Sequence, residues 1–358
     1  MRILVFSLDS SVCSAGSPAQ QRCVAYGALA DRYTVIAPSA KDCSLHLSDA
    51  VTIYGLGGTN KLARLVRMYK RAIAGGSRER YDVVSVQDTG FLALAALLVS
   101  RRCEAGFEVQ VHGFEKHSLL RTLAAKFVLK RAHAVRVVSK RLAQIIAKQY
   151  AVPTGRITVA PIYVEPFSCA KRRGKQELLC VLTVGRLVPV KRIDLQLQAA
   201  AQLRGQGIAF QLKIVGSGPE EKSLRALART LYIEDITEFA GQVTDIKEAY
   251  CDADMFVLSS DAEGWGMAVV EAAHAGLPIV MTDVGCANEF IHSGTNGIVV
   301  PHGSADELVR SIGELFRDKG RRLALGAAAR QSARQLPNKE ETYALYKQSW
   351  QIAAQKSV

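Results

Sequence analysis

The most informative stretch of the chain is Ser259-Ser-Asp-Ala-Glu-Gly-Trp-Gly-Met-Ala-Val-Val-Glu-Ala-Ala-His-Ala-Gly-Leu-Pro-Ile279. It contains two carboxylates, Glu263 and Glu271, separated by seven residues. Gly264 and Gly266 stand where a loop turns into a predicted helix, and the free amides at a helix N-terminus bind phosphate or sugar oxygens. The stretch therefore predicts a loop and a helix whose two carboxylates face one ligand at different depths.

Two other loops of the second half combine glycine with the end of a predicted strand. Arg186 and Lys191 follow the strand that ends at Val184, and two cations at such a strand end suit a diphosphate. The alternative is that both cations are simply solvated at the start of a helix. The turn Val215-Gly-Ser-Gly-Pro219 is explained by tight turning as well as by contact with a phosphate.

Short β-rich runs alternate with helical patterns along almost the whole chain, which predicts doubly wound parallel α/β sheets. The predicted strands are Ile3–Ser7, Tyr33–Ala37, Val51–Tyr54, Val83–Val86, Phe107–Val111, Val135–Val138, Ile157–Ala160, Leu178–Val184, Phe210–Val215, Ile236–Phe239, Met255–Leu258, Pro278–Met281 and Ile298–Val300. Residues 165–176 break the alternation and are interpreted as an interdomain linker. We predict two Rossmann-like domains, 1–167 and 175–336, that face each other across a cleft. A C-terminal helix within 337–358 is predicted to pack back on the first domain.

Length and composition set the broad class. The chain has 358 residues, of which 49% are hydrophobic and 22% charged, so two folded domains are expected and wholesale disorder is excluded. The longest apolar run, Phe91 to Val99, is far shorter than the roughly 20 residues of a membrane-spanning helix. The apolar stretch at the N-terminus is too short for a secretion signal, so a soluble cytoplasmic protein is expected.

The eight cysteines show no CxxC pair and no regular spacing, and they are interpreted as reduced thiols. The seven histidines form no cluster with cysteine, which disfavours a structural zinc site. The motif Asp252-Ala-Asp254 resembles a DxD metal motif, but its position just before a predicted strand favours a helix end. No metal and no other cofactor is expected.

The net charge of +13 is concentrated in the first half of the chain. Residues 1–170 hold 23 basic and 11 acidic residues, whereas residues 171–358 hold 23 and 22. Such a field attracts nucleic acid, an anionic membrane or an acidic substrate. Nucleic acid is disfavoured because no helix-turn-helix, zinc-finger or RNP-like motif is present.

Two basic amphipathic helices lie in this half. The first, 61–73, groups Leu62, Leu65, Val66, Tyr69 and Ile73 on one face, with Arg64, Arg67, Lys70 and Arg71 at the sides. The second, 118–131, combines Leu120, Leu123, Phe127 and Val128 with Arg121, Lys126, Lys130 and Arg131. Such helices can lie on an anionic membrane surface, so peripheral membrane contact is one hypothesis. The alternative is a helix packed on the core with a solvated basic face.

Five elements of the second half resemble the retaining GT-B glycosyltransferases of family 4 in order and spacing, over residues 178–317. These elements are Gly185-Arg186 with Lys191, Val215-Gly-Ser-Gly-Pro219, Glu263 with Glu271, Ala275-Gly-Leu-Pro278, and Gly285 with Glu289 and Gly297. The first half agrees more loosely, through its strand–helix alternation and Gln110-Val-His-Gly-Phe-Glu115. The resemblance implies a GT-B fold and a nucleotide-sugar donor.

The resemblance also implies roles for single residues. Arg186 and Lys191, beside Gly185 and Gly216, would neutralise the donor diphosphate and stabilise the departing nucleotide without a metal. Glu271 would bind the ribose hydroxyls. The donor sugar and its phosphate would be held by Glu263 and by the amides of Gly264, Trp265, Gly266 and Met267. His112 would line the reaction centre from the first domain.

The chain departs from the family pattern after the first strand, where Ser10 to Pro18 contain only Gly16 in place of a Gly-Gly pair. Contacts from that loop to acceptor or phosphate are therefore open. The resemblance implies a retaining hexosyltransferase that moves a sugar from a UDP- or GDP-sugar to a hydroxyl of a glycan or lipid-linked acceptor. A nucleotide-sugar epimerase of the same fold and a non-catalytic nucleotide-sugar-binding protein are the alternatives.

Overall fold

The computed structural model describes residues 1–76, 80–113, 119–169 and 178–355. The chain divides into two compact units, one formed by Met1–Pro161 with Asn338–Val358 and the other by Ile162–Pro337. Part of the linker interpreted at 165–176 lies outside the described residues, as do Phe114, Glu115 and Ser118. Each described unit has its own sheet and its own buried apolar core.

The first unit contains an eight-stranded sheet with the order β3-β4-β2-β1-β5-β6-β7-β8. Its strands are β1 Arg2–Phe6, β2 Arg32–Pro38, β3 Cys43–His46, β4 Val51–Leu56, β5 Val83–Val86, β6 Gly106–Val111, β7 Ala134–Val137 and β8 Ile157–Val159. All pairs are parallel except β3 with β4. The predicted parallel α/β architecture is confirmed, and the antiparallel edge strand β3 is an addition that the sequence analysis missed.

Five helices of the first unit connect these strands. They are α1 Pro18–Gly27, α2 Lys61–Gly76, α3 Phe91–Arg102, α4 Leu119–Arg131 and α5 Lys140–Tyr150. Ser17 starts α1 by accepting a hydrogen bond from the amide of Gln20, and Ser139 starts α5 in the same way. Strands β5, β6 and β7 are buried along their whole length, as expected for parallel strands covered by helices on both faces.

The second unit contains a six-stranded, entirely parallel sheet with the order β11-β10-β9-β12-β13-β14. The strands are β9 Leu179–Val184, β10 Phe210–Val215, β11 Thr237–Gly241, β12 Met255–Leu258, β13 Ile279–Thr282 and β14 Ile298–Val300. The helices are α6 Ile193–Gly205, α7 Glu221–Thr230, α8 Ile246–Asp252, α9 Met267–Ala275, α10 Ala305–Arg317 and α11 Lys319–Ala333. The strand order reverses between β9 and β12, and ligands of such sheets bind at the carboxyl ends of the strands at this point.

The last helix, α12 Lys339–Ala354, returns to the first unit and closes a buried polar cluster there. Glu108 on β6 is completely buried, and it pairs with Arg136 on β7 at 3.2 Å. From α12, the hydroxyl of Ser349 donates to Glu108 at 2.5 Å and the indole Nε1 of Trp350 donates to it at 3.2 Å. A buried carboxylate is tolerated only when it is paired and hydrogen-bonded, so α12 completes the core of this unit.

One interpretation from the sequence is wrong, because Cys169 and Cys251 form a disulfide. The two residues are 82 positions apart, and no local spacing connects them. The fold brings them together: Phe167, two residues before Cys169, packs with its ring centroid 6.2 Å from that of Tyr250 on α8. The other six cysteines form no disulfide, and three of these are buried.

Candidate functional site

The second unit brings Lys191 and Glu263 together at the carboxyl end of its sheet, next to the switch point. Lys191 ends a short 3-10 turn after β9, and Glu263 lies in the loop after β12. The Lys191 ammonium donates to Glu263 Oε1, and the Ser260 hydroxyl donates to the same oxygen at 2.8 Å. Both charged side chains are only partly exposed, at 21% and 13%, which makes this a pre-formed polar centre.

A buried hydrogen-bond chain fixes the loops that carry this pair. The Ser259 hydroxyl lies 2.9 Å from the carbonyl oxygen of Lys191 and 2.8 Å from that of Arg192. Gln196 on α6 donates to Ser259 at 2.9 Å, and Thr183 on β9 donates to Gln196 at 2.6 Å. These residues were not predicted from the sequence, since isolated Ser, Thr and Gln residues form no motif.

Two glycines allow the strand ends to pack closely. The Lys191 side chain passes over Gly185, where an added Cβ would lie 3.6 Å from the Lys191 Cε. Gly216 has a φ of +133°, and a Cβ there would lie 1.9 Å from the Gly185 carbonyl oxygen. Gly216 is therefore required for packing between β9 and β10, and this requirement explains its position without a ligand.

The loop before α9 presents a helix N-terminus to the same region. Gly266 caps α9 with a φ of +99°, and no side chain accepts from the first amides of the helix. Gly264 precedes this cap, and Met267 begins the helix and is exposed. Trp265 is buried beside Phe290, and its indole Nε1 has no hydrogen-bond partner among the described residues.

Glu271 lies on α9, and its partner is Tyr250 on α8. The Tyr250 hydroxyl donates to Glu271 Oε2 at 2.6 Å. Burial raises the pKa of Glu271 above its ordinary value, and the hydrogen bond from Tyr250 opposes that rise. Tyr250 is completely buried and was missed by the sequence analysis, because a separation of 21 residues forms no recognisable motif.

Arg186 differs from Lys191 in its surroundings. It follows β9 at an exposed position, and its side chain makes no hydrogen bond or ion pair among the described residues. Lys191 is therefore hydrogen-bonded to Glu263, and Glu271 is hydrogen-bonded to Tyr250. The Arg186 guanidinium, in contrast, is exposed to solvent. That Arg186 contacts a ligand stays a prediction.

His112 follows β6 at the carboxyl edge of the first sheet. One side of the residue is open to solvent. The surrounding protein disfavours the charged imidazolium and, together with the guanidinium groups of Arg136 and Arg22, lowers the pKa of His112 to about 4. A neutral imidazole is therefore available at this edge at neutral pH.

The Asp252-Ala-Asp254 motif is used structurally. Asp252 ends α8, and the Asp254 carboxylate accepts the amide hydrogen of Cys180 at the start of β9, at 2.8 Å. Across residues 1–76, 80–113, 119–169 and 178–355, no three His, Cys, Asp or Glu side chains are grouped to hold a metal ion.

Helices α2 and α4 of the first unit expose much of their apolar surface. Leu62 on α2 is 70% exposed and Leu120 on α4 is 69% exposed. Seven of the thirteen exposed large apolar side chains in the described chain lie on α2, α3 and α4: Leu62, Val66, Phe91, Leu98, Leu120, Leu123 and Phe127. Helix α3 packs against both α2 and α4. The same helices carry the basic residues noted in the sequence, and we call this surface the basic apolar face.

Helical periodicity predicted correctly only some of the buried residues on α2 and α4. On α2 the buried residues are Met68 and Ala72, not Leu62 and Val66 of the predicted apolar side. On α4 the predicted apolar residue Val128 is buried, whereas Leu123 and Phe127 are exposed. None of the helices in the described parts of the chain is both long and apolar enough to cross a membrane.

Two family models match consecutive parts of the chain. The model for glycosyl transferases group 1 matches residues 168–332, and the model for Glycosyltransferase Family 4 matches residues 24–166. The chain belongs to the GT-B glycosyltransferases of the family 4 type.

Two curated relatives are similar to part of the chain. WcaL of Salmonella typhimurium, named for colanic acid biosynthesis, is 34% identical over 38% of this chain and 36% of its own length. A GDP-mannose-dependent α-(1-6)-phosphatidylinositol monomannoside mannosyltransferase of Mycobacterium tuberculosis is 32% identical over 45% of this chain and 44% of its own. The matched part thus spans less than half of either relative.

A solved structure resembles the whole chain. HepE of Anabaena, in complex with UDP-glucose, has a TM-score of 0.77 and 17% identity, covering 99% of this chain and 100% of its own. This likeness shows that the two proteins share a fold.

Proposed function

We propose that the protein is a retaining hexosyltransferase that moves a sugar from a UDP- or GDP-sugar to a hydroxyl of a lipid-linked glycan precursor. The observation that carries this proposal is the Lys191–Glu263 pair beside the uncapped N-terminus of α9, with Glu271 on the same helix. A cation and a helix N-terminus suit the phosphates of a nucleotide diphosphate sugar, and the two carboxylates suit its hydroxyls. HepE, which has the same fold, binds UDP-glucose.

The charge of each donor-site residue determines its proposed role. Lys191 and Arg186 neutralise the diphosphate, and this stabilisation grows as the nucleotide departs with additional negative charge. The first amides of α9 bind a phosphate or sugar oxygen. Glu271 accepts hydrogen bonds from the ribose hydroxyls, and Glu263 orients Lys191 and binds the sugar. Because protein cations carry out the neutralisation, we propose that transfer needs no divalent metal.

The first unit is proposed to hold the acceptor. Neutral His112 at the end of β6 can accept or donate a hydrogen bond without placing a positive charge beside the departing sugar. The retaining outcome is proposed from membership of the family.

The basic apolar face supports an acceptor that is anchored in a membrane. Exposed leucines would enter the lipid interface, and each basic residue near anionic headgroups contributes about 1 kcal/mol. The relative from Mycobacterium tuberculosis is named for a phosphatidylinositol-based acceptor. We propose peripheral contact with the cytoplasmic face of a membrane.

The test is a screen of UDP- and GDP-sugars by nucleotide release, with and without EDTA. One donor is expected to be hydrolysed slowly by the wild-type protein, equally well in EDTA. Lys191→Ala and Glu271→Ala should both lose this release. Lys213→Ala, which breaks a partly exposed ion pair between β10 and β11, should retain it. Loss of release in EDTA would contradict metal-free transfer.

Adding a lipid-linked acceptor extract separates transfer from its alternatives. Faster nucleotide release with labelled sugar in the lipid fraction is the expected result. Donor binding without release, even with the extract, would indicate a binding protein. Conversion of the donor to its epimer would indicate the other alternative.

A further inference from the structure

A cavity of about 500 Å³ opens at the carboxyl edge of the first sheet. It lies between the ends of β1, β2 and β5 and the first turns of α2 and α3, and its volume is within the range of roughly 300–1,000 Å³ for small-molecule sites. The apolar lining residues are Leu8, Pro38, Leu65, Met68, Phe91 and Leu92. We call this cavity the edge pocket.

The charged residues of the edge pocket leave a positive excess. Asp88 is paired with Arg121 at 3.7 Å, so these two charges offset each other. Lys61 and Arg64 remain, both on the first turns of α2. The Arg64 Nε is buried and has no hydrogen-bond partner within the described residues. A buried donor without a partner is unfavourable, and an anionic ligand would satisfy it.

We infer that the edge pocket binds the phosphate-proximal part of a lipid chain, with Arg64 and Lys61 contacting the phosphate and Phe91, Leu65 and Leu8 contacting the chain. This inference deepens the proposed function, on which it rests, by naming the acceptor class as a phosphate-bearing lipid. An apolar wall beside a guanidinium whose Nε has no partner within the described residues matches a ligand that is apolar along its length and anionic at one end.

The position of the edge pocket favours a membrane lipid over free phosphate. Phe91 lines the pocket and also belongs to the basic apolar face, so a chain can pass from the membrane surface into the pocket without crossing water. The pocket ends at the tips of β1 and β5, and His112 follows the next strand, β6, at the same edge. A headgroup held by Arg64 therefore lies on the side of the sheet where acceptor chemistry is proposed.

The experiment measures binding of decyl phosphate, below its micelle concentration and without vesicles, by isothermal titration calorimetry. The wild-type protein is expected to bind one molecule, and decanol and inorganic phosphate should each bind at least about tenfold more weakly. Arg64→Gln should weaken decyl phosphate about tenfold and leave decanol unchanged. Phe91→Ala should weaken both decyl compounds about fivefold.

Matched controls lie on the same helices. Lys70→Gln on α2 and Leu98→Ala on α3, which is 56% exposed against 55% for Phe91, should bind decyl phosphate as the wild type does. Equal weakening by Phe91→Ala and Leu98→Ala, unchanged binding by Arg64→Gln, or equal affinity for inorganic phosphate would overturn the inference. Arg64→Lys, which keeps the charge but lacks the Nε donor, should bind decyl phosphate more tightly than Arg64→Gln, and this difference would exclude misfolding as the cause.

Measuring nucleotide release by the same variants distinguishes failure of the edge-pocket inference from failure of the proposed transferase activity. Retained donor hydrolysis with no decyl phosphate binding contradicts the edge pocket alone. Specific decyl phosphate binding with no donor hydrolysis or donor binding supports the pocket and contradicts the proposed transferase.

Discussion

At the scale of single residues, Tyr250 controls the state of Glu271. The carboxylate is partly buried, which raises its pKa, and the phenol is its hydrogen-bond donor. A carboxylate that is to accept ribose hydroxyls must be ionised and held in one orientation. We therefore propose Tyr250 as a positioning residue, which would act on the ligand through Glu271.

Tyr250→Phe removes this donor and keeps the ring. We expect about fivefold weaker nucleotide binding, with a larger loss at acidic pH because the pKa of Glu271 rises further without the hydrogen bond. Calorimetry with UDP or GDP and with the corresponding 2′,3′-dideoxynucleotide tests the role. The dideoxy ligand should bind both proteins equally, and a similar loss for both ligands would indicate only a structural role. Tyr232→Phe, at a highly exposed position, is the control.

His112 gives a pH prediction of defined sign. Its pKa of about 4 in the folded protein lies below the ordinary 6.5, so the unfolded chain takes up the proton first as pH falls. The free energy of unfolding should fall between pH 6.5 and 4, and His112→Gln should lack that part of the fall. Urea unfolding of both proteins at pH 7 and pH 5 measures it, and identical pH dependence would contradict the lowered pKa.

At the scale of elements, the exposed apolar side chains of α2 and α4 are unusual because they stand beside basic residues. Isolated exposed leucines are common on protein surfaces, but grouped ones mark an interaction surface. The solvent-facing position of Leu120 and Leu123 makes them replaceable without loss of packing.

Leu120→Asp combined with Leu123→Asp should abolish sedimentation with vesicles that contain anionic lipid, since apolar contact is lost and negative charge is added near the headgroups. The free energy of unfolding should change by no more than about 0.5 kcal/mol, because both side chains are exposed. Leu323→Asp on α11 is the matched control. Co-sedimentation of the double variant at the wild-type level would contradict a membrane role for this face.

The Cys169–Cys251 disulfide fixes the segment before β9 to α8. Thiol titration of the unfolded, unreduced protein should find six thiols, and all eight after reduction. Cys251→Ser should lower the free energy of unfolding of the oxidised protein by about 2–4 kcal/mol. Cys103→Ser, at a free and half-buried position, should cost much less, and eight reactive thiols before reduction would rule out the bond.

The local pattern of apolar residues predicted the parallel strands well. The features that it did not predict depend mostly on contacts between residues far apart in the sequence. Strands such as Val83–Val86 were predicted at their observed bounds because fully buried β-branched runs are distinctive. The Glu263 and Glu271 stretch was placed correctly at a loop and a helix start. The disulfide and the Tyr250 partner of Glu271 depend on residues far apart in sequence, and β3 has an alternating pattern only four residues long.

At the scale of the whole molecule, the first unit is assembled from both ends of the chain. Its last component, α12, supplies Trp350, which is 1% exposed, and two of the hydrogen bonds that satisfy buried Glu108. Removing the indole leaves a cavity, and removing the α12 hydrogen bonds leaves Glu108 with fewer partners, although its ion pair with Arg136 remains.

Trp350→Ala should therefore lower the free energy of unfolding by about 3–5 kcal/mol. Gln348→Ala, on the exposed side of the same helix, should cost less than about 0.5 kcal/mol. Urea unfolding followed by circular dichroism measures both. A small effect of Trp350→Ala would mean that α12 is not part of the stable core.

The return of α12 also sets an order of events during synthesis. The ribosome completes Met1–Pro161 first, but the partners of Glu108 on α12 emerge only after the whole of Ile162–Pro337. At about 5–20 residues per second, the early unit waits for many seconds with its central carboxylate only partly paired. The unit made second can thus finish folding before the unit made first, and a nascent chain stalled before α12 would be the species most in need of a chaperone.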